Sequence, residues 1–191
     1  MKKIVLASQS PRRKQLLEWA EIEFDILAKE TDEHFPPGMS VEEIPVYIAR
    51  NKANATRNSE TFKRYENNTT VLAADTIVVL NNKVIGKPQT REEAISILSA
   101  LSGNKHFVIT GIVITDGKKE TSFSDSTEVE FYPLSRNEIE FYVDKYQPYD
   151  KAGAYAIQEW IGVVGIKSIN GDFYNVMGLP VSRVVKALEK F

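Results

Sequence analysis

Residues 70–80, Thr-Val-Leu-Ala-Ala-Asp-Thr-Ile-Val-Val-Leu, carry apolar side chains on both alternating sets of positions, the pattern of a strand buried on both faces. Asn81-Asn82 then predicts a tight hairpin turn into a short strand over 83–86. Upstream, Lys3 to Ala7 is a short β-rich run, and Ser10 followed by Pro11 predicts a helix that opens at Pro11 and buries Leu16, Leu17 and Ala20. A strand is expected near Glu23 to Ala28. A long helix should start between Val41 and Val46 and run to about residue 62, with Ser40 and Glu43 spaced as a capping box and Pro45 blurring its start. Thr90 with Glu93 opens a helix over about 91–101, ended by Gly103. Two β-rich runs, about 105–115 and 120–131, meet at Asp116-Gly117. Ser135 with Glu138 caps a helix to about Tyr146, broken by Pro148, and a strand pair is expected to turn at Asn170-Gly171. The last helix opens at Pro180 and presents Val181, Val184, Val185 and Leu188 at helical spacing. Strands and helices interleave, so the pattern predicts an α/β fold with a mixed sheet.

Composition narrows the chemistry. The 191 residues are 42% hydrophobic and 26% charged, ordinary for one globular domain, or one with two lobes, over 1–191. There is no cysteine, which excludes disulfides, thiolate metal sites and cysteine nucleophiles, and His34 and His106 are the only histidines. Any metal is therefore expected to be a hard cation held by carboxylates, water and substrate oxygens, magnesium or manganese. The apolar stretch at the N-terminus is too short for a signal peptide and no window approaches a membrane span, which predicts a cytoplasmic protein without membrane partners. A net charge of −2 and a pI near 5.8 argue against stable nucleic-acid binding.

The charges are segregated, however. Residues 1–14 contain Lys2, Lys3, Arg12, Arg13 and Lys14 and no acid, residues 16–43 contain nine acids against Lys29, and residues 50–64 turn basic again. Such blocks are either solvated faces or the walls of a cleft for an anion and its metal.

Several residues break local rules. Arg12 and Arg13 fall in the first turn of their helix, where the macrodipole favours acids. Together with Ser8, Ser10 and free backbone N–H groups they suit a phosphate; the bland alternative is that both arginines point to solvent. On that reading of an anion site, Arg13→Ala should leave the empty protein as stable as before, or slightly more so. Asp75 lies inside the doubly buried strand, where a carboxylate is expensive unless it meets a cation or metal, which makes it the foremost functional candidate; the alternative is a cap at a frayed strand end. Lys87, between Gly86 and Pro88, could present an ammonium beside the Asp75 hairpin or be a solvated turn lysine. Glu30, Asp32 and Glu33 suit a divalent cation or plain soluble surface, and Lys52 is opposite in charge to that loop or a simple surface lysine. Both histidines read as structural or exposed, and neither supports a Ser-His-Asp triad.

Taken together, Ser8-x-Ser10-Pro11-Arg12-Arg13, Ala73-Ala74-Asp75-Thr76, Gly86-Lys87-Pro88, Leu101-Ser102-Gly103 with His106, Asp150-Lys151-Ala152-Gly153-Ala154-Tyr155-Ala156-Ile157-Gln158 and Asn175-Val176-Met177-Gly178-Leu179-Pro180 resemble the Maf family, in order and over nearly the whole chain. The resemblance implies a Maf/Ham1-type fold related to inosine triphosphate pyrophosphatases: an elongated, twisted mixed sheet flanked by helices, two lobes with a central cleft, and a homodimer. It implies hydrolysis of nucleoside triphosphates to monophosphate and pyrophosphate with a divalent metal. Ala74-Asp75-Thr76 and the 150–158 segment are similar to the dTTP- and UTP-cleaving subgroup, with modified pyrimidine nucleotides left open as substrates. The family's proton acceptor maps to Asp75, its specificity positions to Arg12, Thr76 and Gln158, and its other polar cleft positions to Arg13, Glu33, Lys52 and Lys87. Within that scheme Glu33, with Asp75, is expected to hold the metal, and the cations to clamp the phosphates. A non-catalytic nucleotide-binding protein controlling septum formation is the alternative.

Overall fold

The computed structural model describes residues 3–191; Met1 and Lys2, the latter part of the basic N-terminal block, lie outside the described residues. The chain divides into two compact units. The first comprises the chain up to Asp75 together with Thr110–Asp125 and Gly178–Phe191, and the second comprises Thr76–Ile109 and Ser126–Met177.

Among the described residues seven strands form one mixed sheet: β1 (Ile4–Leu6), β2 (Phe24–Ile26), β3 (Val71–Leu80), β4 (Lys83–Ile85), β5 (Lys105–Thr115), β6 (Glu120–Phe131) and β7 (Ile166–Asn170), in the order β2-β1-β3-β5-β6-β7 with β4 paired to β3. β1 pairs parallel with β2 and β3, whereas β4 and β7 pair antiparallel with β3 and β6. Helices α1 (Pro11–Trp19), α2 (Glu43–Arg57), α3 (Arg91–Leu101), α4 (Arg136–Tyr146), α5 (Trp160–Gly165), α6 (Phe173–Val176) and α7 (Val181–Leu188) flank it.

In the first unit, α2 covers a sheet face of Val5, Ala7, Val71, Ala73 and Val113 with its own Ala49 and Ala53. Gly111 explains how close this packing is: a Cβ there would stand 2.2 Å from the backbone of Pro45 and Val46, so the first turn of α2 rests directly on β5. The predicted Ser40–Glu43 box is present, with the Ser40 N–H donating to the Glu43 carboxylate at 3.0 Å and the Glu43 N–H to the Ser40 hydroxyl at 3.3 Å. It closes the turn that leads into α2. The helix stops at Arg57 rather than near 62, and a short 3-10 helix, Glu60–Arg64, follows.

In the second unit, the doubly buried strand turns at Asn81 and Asn82, both left-handed at φ 50 and 60, as the hairpin reading requires. The Ser135–Glu138 capping box forms in full. At Asn170-Gly171 the expected strand pair does not form: β7 ends there and the chain enters α6, while the partner of β7 is β6. The reason is a buried polar hub. The Thr127 hydroxyl accepts the Asp172 N–H at 3.1 Å and the Asn175 amide at 2.9 Å and donates to the Asp172 carbonyl at 3.1 Å, which commits the segment to a helical turn.

Candidate active site

Ser8 to Arg13 leave β1 and enter α1. Ser10 caps the helix, its hydroxyl accepting the Arg13 N–H at 3.5 Å, and its own N–H donates to the Ser8 hydroxyl at 3.2 Å. Arg13 does not point to solvent. It is 8% exposed, with Nε donating to the Gly178 carbonyl at 2.8 Å and Nη1 to the Ser8 hydroxyl at 3.0 Å. Burial lowers its pKa from the ordinary guanidinium value, against the opposing pull of Asp75. These bonds argue against the expectation that Arg13 is dispensable for stability, because its guanidinium ties the start of α1 to the Gly178 turn. Arg12 is half-buried beside it.

Lys52 is the centre of a second cluster. Its Nζ lies 2.6 Å from the Asp75 carboxylate and 2.8 Å from that of Glu33, with only 16% of its side chain exposed. The plain surface-lysine reading therefore fails. Helical spacing places Lys52 with Pro45, Ile48, Ala49, Ala53 and Thr56 on the stripe that faces the sheet, and a lysine on that stripe was the signal to read. Asp75 is 7% exposed, inside β3 rather than at a frayed end. Burial raises its pKa; the charges of Lys52 and Arg13 and the Lys52 hydrogen bond pull the other way, and Glu33 adds to the rise.

The acidic loop does not act as a unit. Asp32 binds the His34 N–H at 2.9 Å and also the His34 ring, Glu30 is exposed, and Glu33 alone reaches Lys52. Among the described residues no group of three His, Cys, Asp or Glu is arranged to hold a metal. The Glu33–Asp75 pair still fits a magnesium-like ion. Such ions are commonly held by one or two carboxylates, with phosphate oxygens and water completing the shell, and these two carboxylates already share one cation.

The remaining candidates belong to the second unit. Thr76 is half-buried on β3, Lys87 is exposed just after β4, and Gln158 is exposed on a turn ahead of α5. The last two segments are joined: the Gly153 N–H donates to the Gly86 carbonyl at 3.2 Å, and Gly153 has φ 71 with no room for a Cβ beside Val78 of β3. Several buried polar groups here escape a sequence reading. Lys151 pairs with Asp150 at 2.8 Å and Glu159 at 3.7 Å, and the Tyr142 hydroxyl meets Glu159. His106 is structural as expected, stacked on Phe131 and bonded to the Tyr155 hydroxyl at 2.7 Å; burial pushes its pKa down to about 4.

Comparison with known proteins bears on the fold and the family. The solved Staphylococcus aureus Ham1 protein matches with a TM-score of 0.51 over 99% of this chain and 98% of that chain at 18% identity, which establishes a common fold. A Cytophaga hutchinsonii protein named dTTP/UTP pyrophosphatase is 52% identical over 187 residues, 98% of this chain and 83% of its own. Proteins of the same name from Bacteroides thetaiotaomicron and Parabacteroides distasonis are 46% and 47% identical, covering 98% and 99% of this chain and 95% and 96% of their own. The family described as Maf-like protein matches residues 3–191. With the motifs, the Ham1-like sheet and this sequence identity in agreement, the chain belongs to the Maf family.

Proposed function

We propose that this chain hydrolyses dTTP and UTP to the nucleoside monophosphate and pyrophosphate with a divalent cation, magnesium or manganese. The observation that carries the reading is Asp75: a carboxylate within a doubly apolar strand, held between Lys52 and the charge of Arg13. Burial moves its pKa toward neutrality, as suits a general base. Asp75 takes a proton from the water that attacks the α-phosphorus in line; the new P–O bond forms as the bond to the pyrophosphate oxygen breaks, and the electron pair leaves with pyrophosphate. Glu33 and Asp75 would hold the cation, whose contribution is to neutralise phosphate charge and favour ionised water. Lys52 orients both carboxylates. Arg12, Lys87 and the hydroxyls of Ser8 and Ser10 bind phosphate oxygens, and Arg13 sets the position of that loop while adding positive charge.

Gln158 reads the base. Its amide offers a donor to O4 and an acceptor to N3–H of uracil or thymine, with Thr76 shaping the site. No described helix is long and apolar enough to cross a membrane, and the reading includes a cytoplasmic homodimer. The decisive measurement is pyrophosphate release from UTP, dTTP and CTP. UTP and dTTP should lead CTP by about five- to 150-fold in kcat/KM, since a mismatched edge leaves buried polar groups unpaired, and Gln158→Ala should shrink that ratio more than it lowers the rate. Equal cleavage of all three by the wild-type protein would refute the pyrimidine assignment, and an unchanged ratio in Gln158→Ala would remove Gln158 from it.

A further inference from the structure

Gln158 stands on a tight turn whose two ends are held by one buried oxygen. The turn runs from Ala156 to Glu159 and is closed by the Glu159 N–H donating to the Ala156 carbonyl at 3.1 Å. Gln158, its third residue, is exposed, while Ala156 and Ile157 are buried. The Tyr142 hydroxyl accepts the Ala156 N–H at 3.2 Å at one end and donates to the Glu159 carboxylate at the other. Tyr142 itself is fully buried within α4 and stacks on Tyr146 at 4.9 Å. From the other side the Glu159 carboxylate meets buried Lys151 at 3.7 Å. The first turn of α5 presses on the same backbone, since a Cβ on Gly162 would stand 1.7 Å from the Ile157 carbonyl.

We infer that Tyr142 is a positioning residue for base selection: its hydroxyl clamps both ends of the turn and so fixes the direction in which Gln158 presents its amide. The inference rests on the reading of Gln158 as the group that meets the base. A phenylalanine would fill the same space, so the ring alone does not account for the hydroxyl. A loosely held amide accepts alternative hydrogen-bond patterns, and selectivity built on donor and acceptor order depends on holding that order still.

Tyr142→Phe is the test, read in two ways. In the ligand-free protein, hydrogen exchange at the Ala156 amide, whose acceptor is the Tyr142 hydroxyl, should accelerate about two- to tenfold, the equivalent of one ordinary net hydrogen bond. In turnover, the UTP-to-CTP ratio of kcat/KM should fall by a similar factor of about two to ten, chiefly through KM for UTP, and should fall no further when Tyr142→Phe is added to Gln158→Ala. An unchanged ratio with a lowered melting temperature would reduce Tyr142 to a packing residue and overturn the inference, as would an equal additional fall in the Gln158→Ala background. Should Tyr142→Phe fail to fold, Glu159→Ala removes the other end of the clamp and carries the same expectation in turnover. If the wild-type protein cleaves neither UTP nor dTTP, the pyrimidine reading falls and takes the base-selection role with it, while unchanged exchange at Ala156 would refute the clamp itself.

Discussion

Replacing Asp75 with asparagine separates what the carboxylate does for catalysis from what it does for the fold. The shapes are nearly the same, so the change removes a charge and a base and little packing. Two opposing effects set the stability. Lys52 loses its 2.6 Å partner, and a hydrogen bond between charged groups contributes about 1.5–3 kcal/mol. Lys52 keeps Glu33 at 2.8 Å, however, and the asparagine carbonyl can still accept from it. Against this, removing a carboxylate from a site 7% exposed relieves desolvation, which amounts to several kcal/mol per ion. The net upward pKa shift of Asp75 says which effect wins: with every neighbour counted, the folded protein disfavours its charged form. Asp75→Asn should therefore melt at the wild-type temperature or above it at pH 7 in chelator, where about 1 kcal/mol corresponds to roughly 2–4 °C for a chain of this size. Because a raised carboxyl pKa means that the native state binds the proton more tightly, stability from this group is fully present below the unfolded pKa of about 3.9 and is lost as pH rises through the folded one. The melting advantage of the variant should accordingly shrink as pH falls. Pyrophosphate release at saturating UTP should meanwhile drop at least about a hundredfold, the lower range for loss of a positioned base. Near-wild-type turnover would remove Asp75 from the mechanism, and a fall in melting temperature beyond about 5 °C would mark it as a structural counter-ion instead.

Chelation of divalent metal should abolish pyrophosphate release, since side-chain cations alone neutralise a departing pyrophosphate poorly; full turnover in excess chelator would refute the assignment of Glu33 to a cation. Arg13→Ala should lower unfolding free energy by about 1–3 kcal/mol in urea titrations, because the lost bonds to Gly178 and Ser8 outweigh about 0.3–1 kcal/mol gained by removing a cation from a helix N-terminus; unchanged stability would restore the view that the side chain exists only for an anion. His106 should limit acid stability. With its pKa lowered from 6.5 to about 4, the native state resists the proton, so roughly 3 kcal/mol is present above pH 6.5 and lost as pH falls to about 4; His106→Gln should remove that part of the pH dependence of the urea midpoint, and an unaltered profile would show that other groups carry it.

What could be read from the chain before its structure follows from how local each signal is. Capping boxes at Ser40 and Ser135 and the Asn81-Asn82 turn act over four residues, and all three form as read. Asp75 was legible because a carboxylate in a doubly apolar strand contradicts its own surroundings. Arg13 was half legible: its place in the first turn announced something unusual, but the carbonyl it meets is 165 residues away and gives no local sign. The turn at Asn170-Gly171 misled for the same reason. Thr127, which redirects it into α6, lies more than 40 residues earlier on β6. Tyr142 and Lys151 remained silent, since a tyrosine on an amphipathic helix and a lysine in a loop look ordinary until their buried partners are known.

The placement of Lys52 depends on residues that carry no chemistry. α2 approaches the sheet as closely as its backbone allows at Gly111, and farther along its small Ala49 and Ala53 share one buried cluster with Ala7 and Ala73. That closeness brings an ammonium on the buried stripe within 2.6 Å of a carboxylate on β3, whereas larger side chains at these positions would lift the helix and part the two charges. Alanine and glycine register weakly in any hydrophobic pattern, so the sequence displays the charged residues and hides the small ones that set the distance between them. Packing and the proposed catalytic geometry are consequently coupled at Gly111 and Ala53, where one change disturbs both together. In the proposed mechanism stability and catalysis oppose each other at Asp75, since burial that strains the folded state is the same burial that moves a carboxylate toward the basicity a general base needs.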